Sequence, residues 1–192
     1  MKIPDGERDH VDRVIEQWAR ERPELDLSPL AVVARLGRAA RFVDQGLAEF
    51  FAAHNLSRAD WDVLASLRRS GPPYSLSPTN LYRALMRTSG AMSQRLESLE
   101  RKGLIERALD ATDRRAVVVK LTAKGRKLVD DVAAEHLANE RGLLAPLSRK
   151  EQKELAALLK KLLLAYERER NVPRGPRKHD HPRRPKKRAK SS

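Results

Sequence analysis

The 192-residue chain contains no cysteine. That absence excludes disulfide bonds, thiol catalysis and cysteine-ligated zinc or iron–sulfur centres, and it fits a reducing compartment. Aromatic residues are scarce, at 4%, so Leu, Val and Ala must fill the core. No stretch approaches the ~20 apolar residues that span a bilayer. The N-terminal segment, Met1 to Glu7, lacks the apolar run of a signal peptide. A soluble, cytoplasmic protein is expected. Glycine-rich phosphate loops are missing as well. The five histidines, His10, His54, His136, His179 and His181, show no metal-ligand or triad spacing. Neither catalysis nor a cofactor nor a metal is expected.

Positive charge is abundant. The net charge of +14 favours a polyanionic partner such as nucleic acid. Residues 171–192 hold nine Lys/Arg against one acid, +8, which leaves +6 for residues 1–170. Four prolines interrupt this basic tail, so residues 171–192 are expected to be disordered.

Periodicity organises the remainder into helices. Val11, Val14, Ile15 and Trp18 repeat at helical spacing between about Glu7 and Arg22, and Pro23 ends the element. Ser28-Pro29 opens an Ala/Leu/Arg-rich helix extending to Ala53. Short helices follow from Ser57 to Arg69 and from Ser77 to before Ser89. The next, Ser89 to Lys102, packs through Met92, Leu96 and Leu99 and stops at Gly103. Leu104–Leu109 and Ala116–Leu121 pair as a hairpin. Thr122 caps a helix to about Arg141, and the capping box Ser148-x-x-Glu151 opens the last one. The fold expected is mostly α with a small β-hairpin wing. An extra N-terminal helix (1–27) and dimerisation helices (28–56 and 122–170) flank a winged helix–turn–helix module (57–121).

The chemistry lies between Ser77 and Gly125. At about 100° per residue, Gly90, Gln94, Glu97 and Ser98 oppose the Met92/Leu96/Leu99 face. Gln94 can make bidentate contacts to adenine. Ser89 and Ser93 suit phosphates near a helix N-terminus, where N–H groups and the dipole favour anions. Thr79, Asn80 and Arg87 can position the backbone from the preceding helix and its exit. A solvated amphipathic helix would carry the same pattern, and the hairpin tips the balance toward DNA. Its tip, Asp110-x-x-Asp113-Arg114-Arg115, brings two arginines where a wing enters the minor groove, and a neighbouring acid can hold one guanidinium in a fixed fork while the other contacts DNA. Arg95 is the odd residue, falling ~40° from Leu99 at the edge of the buried face. A cation there must snorkel, pair with an acid or meet an anion.

The stretch D110-A-T-D-R-R-A-V-V-V-K-L-T-A-K-G125 resembles the wing signature of the MarR family of regulators, with Thr112 where that family often has arginine. The resemblance covers residues 28–167 and implies a homodimer of winged helix–turn–helix lobes on pseudo-palindromic double-stranded DNA operators. D12-R-V-I-E-Q-W18, W61-D62-V-L and S89-G-A-M-S-Q-R95 are similar to the family's urate-responsive branch, although Trp61 stands where that branch usually has Phe. The resemblance implies a ligand pocket from Trp18, Asp62 and Arg95, and a small anionic effector, urate or an organic acid, that releases a repressor from DNA. The alternative is an architectural DNA-binding protein whose basic tail supplies nonspecific affinity through counterion release.

Overall fold

The computed structural model describes residues 6–85, 89–109 and 116–169; for residues 83, 84 and 89–91 it describes the main chain alone. Its elements run α1 (His10–Glu21), α2 (Ser28–Ala53), α3 (Arg58–Arg69), β1 (Ser75–Leu76), α4 (Pro78–Leu85), α5 (Ser89–Arg101), β2 (Ile105–Leu109), β3 (Val117–Leu121), α6 (Ala123–Leu143) and α7 (Arg149–Glu169). Among the described residues, no helix is long and apolar enough to cross a membrane.

Two compact units form. Of the described residues, the first comprises 6–58 and 133–155, the second 59–132 and 156–169. In the first, α1 starts at His10, three residues later than periodicity alone indicates, because Asp9 caps it in a reciprocal box with Asp12. The Asp9 carboxylate accepts the Asp12 N–H at 2.9 Å, and Asp12 Oδ2 accepts the Asp9 N–H at 3.0 Å. At α2 the side-chain acceptor is Asp26 rather than Ser28: its carboxylate takes the Ser28 N–H at 2.9 Å and the hydroxyl at 3.0 Å. These bonds hold the Asp26 carboxyl below its ordinary range, the backbone N–H contributing most.

Arg35 of α2 ties α1 down by donating to Asp9 at 2.8 Å and also to Asp12. The guanidinium hydrogen bond is the main reason that the Asp9 carboxyl is lowered from 3.8 to about 2, followed by the Asp12 N–H. A depressed carboxylate stabilises the fold above its unfolded value and loses that contribution as pH falls through the folded one. The stability difference between wild type and Asp9→Asn is therefore expected to be full at about pH 6, to shrink below 3.8 and to vanish beneath about 2. Denaturation across that range measures it, and a difference independent of pH would remove this role.

Further along, the Phe50 ring lies 5.2 Å from Phe51, 4.6 Å from His54 and 5.8 Å from His136 of α6. His54 Nε2 faces Glu135 at 3.2 Å. A Cβ built on Gly46 would come within 2.7 Å of Leu143 Cδ2, the free end of a flexible side chain. Helix propensity favours alanine over glycine by ~1 kcal/mol. Gly46→Ala is expected to change stability by less than ~1 kcal/mol, because one Leu rotamer shift offsets the gain. Thermal unfolding tests this, and a loss above that range would show that Leu143 cannot move.

The second unit closes around Leu64, Leu67, Leu81, Leu99, Ile105 and Val119, all buried. The wing is a three-stranded antiparallel sheet in the order β1-β3-β2, where the sequence indicated only a hairpin. Ser75 pairs with Lys120 and Leu76 with Val119. β1 is two residues long, too short for periodicity to register. Its carbonyl neighbour Tyr74, with φ of 60°, accepts the Leu121 N–H at 3.0 Å.

Candidate nucleic-acid interface

Ser77 caps α4, its Oγ accepting the Asn80 N–H at 3.2 Å. α5 buries Met92, Leu96 and Leu99 and exposes Ser93, Gln94 and Glu97. The core face expected from the sequence is therefore observed, and of the expected outward face Gln94 and Glu97 are exposed while Ser98 is half-buried. α5 ends in a Schellman motif: Gly103 takes φ of 67°, its N–H reaches Glu100 O at 2.8 Å, and Leu104 N–H reaches Leu99 O at 3.0 Å.

The same turn begins α6. Thr122 donates its N–H to Leu104 O at 3.1 Å, and its hydroxyl donates to Gly103 O at 2.8 Å. That hydroxyl in turn accepts the Gly125 N–H at 3.0 Å. Lys124 Nζ donates to Lys102 O at 2.9 Å. Between these anchors β2 and β3 pair from Ile105↔Leu121 to Leu109↔Val117. Ile105, Val119 and Leu121 point inward, while Glu106 and Lys120 pair across the outer face at 3.5 Å. Glu100 of α5 braces β2 by accepting the Arg107 N–H at 3.2 Å.

Arg95 turns away from the exposed face of its neighbour Gln94. Its Nη1 donates to Asp60 Oδ1 at 2.8 Å. Asp60, on α3, is buried, and Lys102 Nζ stands 3.9 Å from its Oδ2. The acid met by Arg95 is thus Asp60; Asp62, which the resemblance set beside Trp18 and Arg95 in a ligand pocket, sits half-buried on another face of α3. A helical stripe of Asp60, Val63, Leu64 and Leu67, all buried, carried the missed signal: Asp60 occupies a core position and Asp62 does not.

Of the other residues singled out, Thr79 is exposed and Asn80 partly exposed on α4. Trp18 is 47% exposed on α1. The Ser89 main chain begins α5, while Arg87, Asp110, Asp113, Arg114 and Arg115 lie outside the described residues, as does the tail. Sequence reading also missed Tyr74, whose ring lies under Arg68 at 5.1 Å and Arg126 at 5.6 Å. Asp130 holds Arg68 at 2.7 Å and raises its pKa.

A capped helix, a second helix with an exposed polar face and an antiparallel wing, in that order, define a winged helix–turn–helix DNA-binding protein. Comparisons with known proteins agree. Residues 54–116 match the MarR family model. The chain is 40% identical over 149 residues to the HTH-type transcriptional regulator PecS of Dickeya dadantii, covering 78% of this chain and 90% of that protein. A MarR variant from E. coli complexed with operator DNA superposes with a TM-score of 0.60 at 26% identity, covering 76% of this chain and 97% of that one. Bordetella bronchiseptica BpsR, whose DNA binding is regulated by 6-hydroxynicotinic acid, gives 0.60 at 25% identity, covering 68% and 91%. The chain belongs to the MarR family, and it is a DNA-binding transcriptional regulator rather than an enzyme.

Proposed function

We propose that this regulator is a homodimeric, cytoplasmic repressor of pseudo-palindromic operators, released by a small anion such as urate or a related organic acid. One observation carries the effector reading. Gln94 and Arg95 are consecutive on α5, the first exposed and the second bonded inward to Asp60 at 2.8 Å. An anion that engages Arg95 acts on the helix that reads DNA, so effector and operator favour different states of one element. The resemblance adds Trp18 and Asp62 as effector residues. Operator contacts are assigned to Thr79, Asn80, Arg87, Ser89, Ser93 and Gln94, with Arg114 and Arg115 in the minor groove, ordered by Asp110 and Asp113.

Dimerisation through residues 28–56 and 122–170 has independent support. α2 exposes Val32, Val33 and Phe42, and α7 exposes Leu158, Leu163 and Tyr166. Apolar surface of this extent marks a protein interface.

Fluorescence anisotropy on operator DNA tests the effector reading with two probes, urate and 6-hydroxynicotinate. The wild-type complex is expected to dissociate with one of them, and the Arg95→Ala complex to persist at the same concentration. Equal dose dependence in the two proteins would place the effector elsewhere.

A further inference from the structure

We propose that the root of the wing carries a binding site for a phosphate monoester on a flat ring, built on Tyr74, Lys120 and Arg126. A cavity of about 280 Å³ opens there, and its walls include Pro73, Tyr74, Glu106, Lys120, Leu121 and Arg126. It draws on the turn before β1, on β2 and β3, and on the first turn of α6. The volume lies near the lower end of small-ligand sites, ~300–1,000 Å³, so one ring bearing one charged group fills it. None of these residues belongs to the effector reading above, and the site stands independently of it.

Tyr74 is held in a conformation that its own side chain disfavours. Its φ of 60° lies in the left-handed region, where a non-glycine residue is strained. Two main-chain bonds fix it there. Tyr74 N–H donates to Gly71 O at 2.6 Å, and Tyr74 O accepts the Leu121 N–H at 3.0 Å. A glycine would take this φ freely and present no ring. The ring meets two guanidinium groups, Arg68 at 5.1 Å and Arg126 at 5.6 Å from its centre.

The two arginines differ in their electrostatic surroundings. Arg68 donates to Asp130 at 2.7 Å, which neutralises it. Among the described residues no acid forms an ion pair with Arg126, whose guanidinium lies over the Tyr74 ring and lines the cavity. Such a cation offers its donor fork to an oxyanion. Lys120 adds a second positive charge, with Glu106 at 3.5 Å from its Nζ. Two cations and one acid leave the cavity wall at 2 − 1 = +1. Phosphate suits this pair better than carboxylate, because its three oxygens serve the Arg126 fork and the Lys120 point charge together. The ring of the ligand then lies against Pro73, Tyr74 and Leu121. Glu106 opposes the anion, which gives one substitution the opposite sign.

Calorimetric titration of the full chain with phenyl phosphate tests the site, with inorganic phosphate and phenol as its separate halves. Phenyl phosphate is expected to bind at millimolar concentration, at least about tenfold more tightly than either half. Arg126→Gln is expected to weaken binding by about tenfold and Tyr74→Leu by about fivefold, whereas Glu106→Gln strengthens it by about threefold. Thermal unfolding without ligand checks that each variant folds. Should Tyr74→Leu fail to fold, Lys120→Met replaces it, with a loss of about threefold expected. Arg95→Ala is expected to bind phenyl phosphate as the wild type does. No binding, or equal binding by wild type and Arg126→Gln, overturns the site. Binding lost in Arg95→Ala but kept in Arg126→Gln assigns the ligand to Arg95 and overturns it as well. Weaker binding by Glu106→Gln contradicts the charge argument, and benzoate binding as tightly as phenyl phosphate overturns the assignment to phosphate.

Discussion

Replacing Gly125 with alanine is expected to lower stability by ~3 kcal/mol, at the upper end of what overpacking costs. A Cβ at this position would lie 2.0 Å from Leu104 O and 2.9 Å from Leu104 C. Helix propensity acts the other way, by ~1 kcal/mol in favour of alanine. The clash wins because its partner is main chain that cannot retreat. Leu104 O accepts the Thr122 N–H at 3.1 Å, and Leu104 N–H is committed to Leu99 O at 3.0 Å. Gly46, whose neighbour is a mobile Leu143 methyl, is the internal contrast. Urea midpoints of the two alanine variants measure the difference, and a Gly125→Ala protein as stable as Gly46→Ala would contradict the geometry.

Asp60→Ala carries the second large effect. Breaking one side of a buried ion pair costs ~3–5 kcal/mol when the remaining charge is stranded. Arg95 is 28% exposed and Lys102 42%, so water relieves part of the deficit. A loss of ~2 kcal/mol is expected after that discount. Asp62→Ala, two residues on, is expected to stay within ~0.5 kcal/mol as a half-buried position away from the core stripe. The pair of variants distinguishes the two acids by stability alone. Comparable losses would mean that the faces of α3 are assigned wrongly.

Local signals were the most readable part of this sequence. The Ser148/Glu151 box is observed, with Glu151 accepting the Ser148 N–H at 2.7 Å. The stop at Gly103 is equally local, since a left-handed residue after Leu99 and Glu100 closes two bonds at once. The buried face of α5 followed from spacing. Long-range pairings did not. β1 exists because Ser75 and Leu76 meet Lys120 and Val119, some forty residues later, and nothing at Ser75 announces it. The Arg95–Asp60 bond spans 35 residues. Its cation was conspicuous, but its acid hid among the apolar residues of α3, where an Asp reads as an interruption of the stripe rather than part of it.

The root of the wing has a consequence for how such regulators can diversify. α5 ends on the N–H of Leu104 and α6 begins on the carbonyl of the same residue, and Lys124 reaches back to Lys102 O across the junction. Both helices are thus secured before the strands leave and after they return. The chain between Leu109 and Val117 can be lengthened, shortened or recomposed like an interchangeable tool head. The handle that carries the recognition helix would keep its grip throughout.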